Sequence, residues 1–392
     1  MTPSARVQAA IEILDEVIAS ACGDGPPADI IVQRYFKSRR YAGSKDRRAV
    51  RELVFRAIRR SGERPVAGRL AMLGLADDDA ELARLFDGSP HGPVPRDPDE
   101  VGAPASLVPF WIQPLLSTHV TPNEWRALLE RAPLDLRVNV ARADRQDLAG
   151  QFEGSEPTRH SPWGLRLPPD TRVDDSPAFQ QGLVEVQDEG SQLIALACEA
   201  RRGMKILDLC AGAGGKSLAL AAAAPGAEII ASDTNRLRLA QLSPRAERAG
   251  VQIASRLIDA GKEVGQLADL EGQCDVVLVD APCSGSGTWR RNPEGRWRLT
   301  PERVARLVEL QAKLLELAAP LVTPGGTLVY ATCSVIAAEG SDQSSNFLGR
   351  HSSWIVQDVC FDGGRADGPG RLLTPAHDAT DGFFVARFAR PC

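Results

Sequence analysis

Apolar positions in the first sixty residues recur at helical intervals. Val7, Ile11, Leu14 and Ile18 stand four, three and four residues apart and line one face of a helix, with Ser4 as its N-cap and Gly23 as its stop. Val50, Leu53, Val54 and Ile58 repeat the stripe with arginines on the opposite face. Gly, Pro and Asp crowd residues 87–105 and mark a loop, after which Trp111, Leu115, Trp125 and Leu128 read as a further helical stretch. The pattern predicts an all-helical domain over residues 1–130. From residue 134 the period changes. Leu136-Arg137-Val138-Asn139-Val140 alternates like a strand and opens a small mixed α/β region, 131–182. Over 183–392 short apolar strands (205–209, 228–232, 276–279, 327–330 and 383–388) alternate with longer helical stretches (216–224, 236–249 and 301–319). That alternation implies an α/β domain with a Rossmann-like, doubly wound parallel sheet covered on both faces, which binds its ligands beyond the carboxyl ends of the strands.

Composition narrows the class. In 392 residues, 43% hydrophobic and 25% charged content is that of a globular chain. No run approaches the 18 uncharged apolar residues of a membrane span, and the N-terminus lacks the shape of a signal peptide. Eight cysteines without a CxxC pair suit reduced thiols in the cytoplasm better than a disulfide framework. The net charge of −5 excludes a generally basic binder, yet from Arg34 to Arg60 eleven Lys/Arg face two acids, Asp46 and Glu52. Such asymmetry is the footprint of a nucleic-acid contact, or else a solvated helix face. Tyr35, Phe36 and Tyr41 within it offer rings for bases to stack on or else fill a helical core, and their spacing favours core.

The chemistry-bearing residues follow the strands of the third segment. After Ile206-Leu207-Asp208-Leu209 comes Cys210-Ala211-Gly212-Ala213-Gly214-Gly215-Lys216-Ser217. A glycine turn between strand and helix lets backbone approach a ligand and points helix N-terminal amides at it. A P-loop would need Gly where Cys210 stands, and the dinucleotide pattern would need Gly where Ser217 stands. A third reading is S-adenosylmethionine, and the acids favour a nucleoside-bearing ligand. Asp233 ends the second strand, where a carboxylate meets ribose hydroxyls; Asp259 follows the next apolar stretch, and Asp280 ends Val276-Val277-Leu278-Val279. One such Asp is often a helix cap, but three together with the glycine turn are unusual for a purely structural sheet. Two cysteines also sit at strand ends, in Pro282-Cys283-Ser284 and Thr332-Cys333-Ser334. A lone Cys is usually buried filling, but a thiolate adding to cytosine C6 turns the poorly nucleophilic C5 into an enamine carbon that can take a methyl group. The basic, aromatic segment from Trp289 to Trp297 suits an RNA-facing loop, the alternative being a loop whose tryptophans pack inward.

These residues resemble the RNA cytosine-C5 methyltransferases of the Sun/RsmB and NSUN type. The resemblance runs from Leu136 to Phe388 and rests on Val186-Gln187-Asp188-Glu189, Asp208 through Lys216, Asp280-Ala281-Pro282-Cys283-Ser284, Tyr330-Ala331-Thr332-Cys333-Ser334 and Asp381-Gly382-Phe383-Phe384. It implies Cys333 as the nucleophile at C6, Cys283 as the thiol that assists product release, and Asp280 in the catalytic set. It further implies S-adenosylmethionine bound by Cys210, Ala211, Gly212, Ala213, Gly214, Gly215 and Lys216, with Asp233, Arg238, Asp259 and Asp280. Gly43-Ser44-Lys45-Asp46-Arg47 followed by Leu53-Val54-Phe55 resembles the NusB-like RNA-binding domain of bacterial members. The expected partner is therefore RNA, ribosomal RNA first and transfer RNA as the alternative, met by a cytoplasmic monomer with no metal and no membrane contact. Rival readings are a non-catalytic RNA-binding assembly factor and a DNA cytosine methyltransferase, in which the thiol at the position of Cys283 is the nucleophile. The chain departs from the family pattern at two places. Gly212-Ala213 replaces Ala-Pro in the glycine turn, which loosens it, and Ala337-Ala338-Glu339-Gly340 replaces Pro-Glu-Glu-Asn after the second cysteine motif.

Overall fold

Thr2, rather than Ser4, starts the first helix, α1 (Pro3–Ala21): its hydroxyl accepts from the Ala5 amide at 3.2 Å, and Pro3 takes the first helical position, where its missing N–H costs nothing. Ser4 instead donates to Asp87 at 2.7 Å. Helices α2 (Ala28–Lys37), α3 (Ser44–Arg60) and α4 (Gly68–Asp77) follow. Val7, Ile13, Leu14, Val50, Val54, Ile58 and Met72 lie in the core they share. The expected helix through Trp111 and Leu128 is not continuous. It is a 3-10 turn, Gln113–Leu115, and a short helix, Pro122–Ala127, because Pro114 and Pro122 cannot donate to a helical ladder.

The computed structural model describes residues 1–23, 25–168 and 171–392. They fall into two compact units: residues 1–115, 125–130 and 288–301 form one, and residues 116–124, 131–287 and 302–392 the other. The first unit therefore recruits a segment from far along the chain, and this corrects the expectation of an RNA-facing loop at Trp289–Trp297. Trp289 is 1% exposed and Trp297 3%. The Trp297 ring packs in the helical core, and its Nε1 donates to the Ser61 carbonyl at 2.8 Å. Arg296 is buried beside it and donates to the carbonyls of Ile58 at 2.7 Å and Pro293 at 3.0 Å. Arg298 donates to the carbonyls of Gly25 and Pro26 at 2.9 and 2.8 Å. These guanidiniums thus tie the last turn of α3 and the backbone just before α2 to the segment that carries Trp297.

In the second unit Leu134–Val138 and Gly164–Leu167 are the inner strands of a small antiparallel sheet, with Val184–Val186 and Glu156–Pro157 at its edges. The larger sheet holds nine strands among the described residues: β1 (Lys205–Asp208), β2 (Glu228–Asp233), β3 (Ala254–Leu257), β4 (Cys274–Asp280), β5 (Val322–Thr332), β6 (Ile355–Gln357), β7 (Arg365–Asp367), β8 (Gly370–Leu373) and β9 (Phe383–Ala389). Their order is β7-β8-β9-β5-β4-β1-β2-β3, with β6 also on β9. The run from β5 to β3 is parallel, and its inner strands are buried on both faces, which explains their unbroken apolar runs. Strand β9, expected to be parallel, instead pairs antiparallel with β5, because the hairpin of β7 and β8 delivers it without a crossover helix. The strand order reverses at β1, so the crevice beyond β1 and β4 is the place for a ligand. Helix α5 (Gly215–Ala223) follows β1, and helix α6 (Pro301–Ala318) precedes β5. Among the described residues no helix is long and apolar enough to cross a membrane.

The inward packing of Trp297 makes it part of the helical core. Trp297→Ala should lower the free energy of unfolding by about 3–5 kcal/mol, read from urea denaturation followed by circular dichroism. An unchanged midpoint would mean that the segment only lies against the helices.

Candidate functional site

The turn after β1 is built by glycine. Gly212 and Gly214 have φ of 58° and 79°, in the left-handed region, and a Cβ on Gly214 would meet Leu242 at 2.2 Å. Gly214 is the N-cap of α5, so the first-turn amides of that helix open toward the crevice. Asp233, at the end of β2, accepts from the Gly212 amide at 2.7 Å and from the Asn235 amide at 2.7 Å. Arg238 is exposed and lies over Gly212, where its Nη2 would be 2.5 Å from an added Cβ. Asp259 lies just past β3, exposed, with its amide held by Gln266 at 2.7 Å and Lys262 at 3.7 Å from its carboxylate. Cys210 carries a thiol whose pKa is pushed up by burial and by the Asp208, Asp280 and Asp233 charges around it, which suits a turn residue and not a nucleophile. The turn, Asp233, Arg238 and Asp280 thus come together at the carboxyl ends of β1, β2 and β4, with Asp259 on the rim beside them.

Lys216, in the first turn of α5, reaches across to Asp280 at 2.6 Å and stands 5.7 Å from the centre of the Phe383 ring. Burial alone would lower its pKa, but the Asp280 charge and hydrogen bond, with Asp208, outweigh burial and raise it, so the lysine is held as a cation. Asp208 lies deeper. It is 1% exposed; one carboxyl oxygen accepts from the Ser217 hydroxyl at 2.6 Å, and the other has no hydrogen-bond partner among the described residues.

The two thiols meet. Strands β4 and β5 run parallel with Val279 beside Tyr330 and Asp280 beside Ala331, so the turns that leave them emerge together. The Cys283 and Cys333 sulfurs are 3.3 Å apart. The turns are stitched by Ala281 N to Ala331 O at 2.9 Å, Gly287 N to Cys333 O at 3.0 Å, and Val335 N to the Ser286 hydroxyl at 2.9 Å. The Cys283 thiol is pushed well up by its hydrogen bond to Cys333, by burial, and by the Cys333 and Glu339 charges, so it keeps its proton.

Sequence reasoning missed the residues that compensate for the two departures. Arg245 donates to the Ala213 carbonyl at 2.6 Å and to Glu185 at 2.9 Å, and Arg248 holds the other Glu185 oxygen. A salt-bridged guanidinium thus fixes the turn that lacks proline. At the second departure, a Cβ on Gly340 would meet the Phe384 ring at 2.8 Å, so the aromatic ring occupies the space a side chain there would need. Glu339 beside it is buried beneath both thiol turns. No local pattern signals Arg245, because its partners lie 32 and 60 residues away. Among the described residues no cluster of three His, Cys, Asp or Glu side chains is placed to hold a metal.

Residues 195–389 match the family model described as 16S rRNA methyltransferase RsmB/F. A protein of Salmonella arizonae named Ribosomal RNA small subunit methyltransferase B is 35% identical over 292 residues, covering 72% of this chain and 66% of that protein, so the chain spans just under two thirds of that relative's length. Among solved structures, the protein PH0851 aligns over 97% of this chain and 98% of its own at 22% identity, with a TM-score of 0.74. NSun6 from Pyrococcus horikoshii, crystallised with SFG, aligns over 71% of this chain and 96% of its own at 19% identity, with a TM-score of 0.62. At these identities the structural likeness carries the fold.

Asp208 gives the site a signature in pH. Burial, opposed by the Ser217 hydrogen bond and reinforced by the Asp280 charge, pushes its carboxyl up to about 7. The folded chain therefore binds this proton more tightly than the unfolded chain. The resulting stabilisation is complete below the ordinary carboxylate pKa of 3.8 and is lost as pH rises through about 7. Asp208→Asn, neutral throughout, should gain stability relative to the parent on going from about pH 5 to about pH 8, by on the order of 1 kcal/mol per pH unit over the steep part. A pH-independent difference in denaturation midpoints would mean that Asp208 is ionised in the fold.

Proposed function

The chain belongs, over residues 195–389, to the RsmB/F methyltransferase family, and on that premise we propose that it is an S-adenosylmethionine-dependent RNA cytosine-C5 methyltransferase acting on ribosomal RNA through a covalent cysteine adduct. The observation that carries the reading is the pair of thiols 3.3 Å apart at the carboxyl ends of β4 and β5, in the same crevice as the Lys216–Asp280 pair. A base methyltransferase with no need to activate C6 has no use for two apposed thiols. Ribosomal RNA is favoured by the name of the Salmonella arizonae relative.

The residues at the glycine turn fit the cofactor. Gly212 and Gly214 let the turn take its left-handed backbone, and the first-turn amides of α5 suit a carboxylate. Asp233 is placed for ribose hydroxyls, with Cys210, Ala211, Ala213, Gly215 and Arg238 around the turn, and Asp259 on the rim is the candidate partner for the adenine amino group. The likeness to a structure crystallised with SFG, an analogue of S-adenosylmethionine, supports the same assignment. When bound, S-adenosylmethionine supplies the electrophilic methyl group.

The rest is done by side chains. The Cys333 thiolate would add to cytosine C6, the C5–C6 electron pair would move to C5, and C5 would bond the methyl group as that group's bond to the cofactor sulfur breaks with its electron pair left on that sulfur. Asp280, fixed by Lys216, faces the ring and supports its changing charge. The C5 proton then leaves to a base or to water, the C5–C6 double bond returns, and the C6–S bond breaks with its electron pair on Cys333. Cys283, which keeps its proton, hydrogen-bonds the departing sulfur and so assists release. RNA is held in part by the cationic run that passes from α2 through the following turn into α3. Lys37, Arg40, Lys45 and Arg48 are exposed there, while Arg39 lies on the Tyr35 ring and Arg60 pairs with Asp78.

The two thiols are separable by trapping. Cys333→Ala should lower methyl transfer by about a hundredfold or more, the loss usual for an essential catalytic group. Cys283→Ala should form the adduct and release it slowly, giving an RNase-sensitive protein–RNA band in denaturing gels. The double variant should give no band, since no adduct forms. Trapping by Cys333→Ala and not by Cys283→Ala would reverse the roles.

A further inference from the structure

Glu339 collects donors from both thiol turns and from the helix behind them. One carboxylate oxygen accepts from the Ser284 amide at 2.8 Å and from Gln311 Nε2 at 3.0 Å. The other accepts from the Ser334 hydroxyl at 2.6 Å and from the Ser284 hydroxyl. Ser284 follows Cys283 and Ser334 follows Cys333. Gln311, on α6, also donates to the carbonyl of Pro282, the residue before Cys283, at 3.0 Å. The Glu339 backbone is tied in as well, its carbonyl accepting from the Tyr330 hydroxyl at 2.7 Å. The residue is 0% exposed.

This arrangement is a strut. An ionised carboxylate offers about four acceptor positions, and the four donors named here take them, so none is left for a substrate proton. All four donors are neutral, and burying a carboxylate among neutral groups is costly unless each lone pair is satisfied. The cost is met in a way that binds the neighbours of one thiol to the neighbour of the other. We propose that Glu339 is the positioning residue that sets the spacing of the two thiols, holding the turns of Cys283 and Cys333 together so that one sulfur can form the adduct while the other stands beside it. The purpose of that spacing rests on the methyltransferase function proposed above; the test of the spacing does not.

The test is thiol–disulfide exchange on the full chain in glutathione redox buffers. Oxidised glutathione takes two electrons from the Cys283–Cys333 pair and leaves as two reduced glutathiones, and the two thiol protons pass to those products. The position of this equilibrium, read by alkylation and mass spectrometry, measures how closely the sulfurs are held. Glu339→Ala should weaken disulfide formation by about tenfold or more, the scale expected when two reacting groups lose a fixed geometry. Glu339→Gln, which keeps the shape and one acceptor oxygen, should recover most of the loss. Calorimetric binding of S-adenosylmethionine, whose turn Glu339 does not touch, should stay within about twofold in both, because sites that share no partners are nearly independent. If Glu339→Ala does not fold, Ser334→Ala and Ser284→Ala, each removing one tie, should weaken exchange individually and more so together. An exchange equilibrium unchanged in the Glu339 variants, or in both serine variants, would overturn the proposal even if cytosine methylation is found. Weakened exchange in a chain that methylates no cytosine would leave the strut standing and remove the function assigned to it.

Discussion

Two parallel strands that end side by side govern this site. Because β4 and β5 are neighbours in register to Asp280 and Ala331, the turns leaving them share one volume, and whatever side chains those turns carry must face each other. The chain places a thiol in each. The rest of the second unit can be read as support for that apposition. β1 brings the glycine turn alongside β4, α5 delivers Lys216 to Asp280, and α6 delivers Gln311 to Pro282. None of these contacts would align if β4 and β5 slipped by one residue, since a slip sends every side chain to the opposite face of the sheet.

The electrostatics of the crevice follow from the same packing. Four acidic side chains, Asp208, Asp233, Asp280 and Glu339, stand at or near the carboxyl ends of the strands, and each is answered differently. Asp280 has a cation, Lys216; Asp233 has backbone amides; Glu339 has four neutral donors; Asp208 has one hydroxyl, and burial drives it toward its neutral form. Asp208, the acid with the fewest partners, is the one whose proton affinity burial raises, as the desolvation cost of a buried charge requires.

Much of this is legible in the sequence, and the reason is physical. Strands buried on both faces must be apolar throughout, so β1, β2, β4 and β5 stand out, and a ligand-facing turn must be small, so Gly212 and Gly214 do too. The chemistry-bearing residues Asp233, Asp280, Cys283 and Cys333 can be found because they end those strands or follow them closely. What cannot be read depends on partners distant in sequence. The segment holding Trp289 and Trp297 looks like an exposed basic loop, since nothing local says that Arg296 and Arg298 serve carbonyls more than two hundred residues away. Arg245 and Gln311 are invisible for the same reason. Glu339 stands within the altered motif after the second cysteine, but its role depends on Ser284, 55 residues earlier.

In the reaction proposed, carbon C5 of a cytosine is the methyl acceptor, activated through C6. The most direct measurement is release of tritium from ribosomal RNA labelled at C5 of its cytidines, followed alongside transfer of methyl from S-adenosylmethionine. Every methyl placed on C5 must displace the hydrogen there, so tritium release should match methyl transfer one for one. Methyl transfer without tritium release would place the methyl elsewhere and contradict the account.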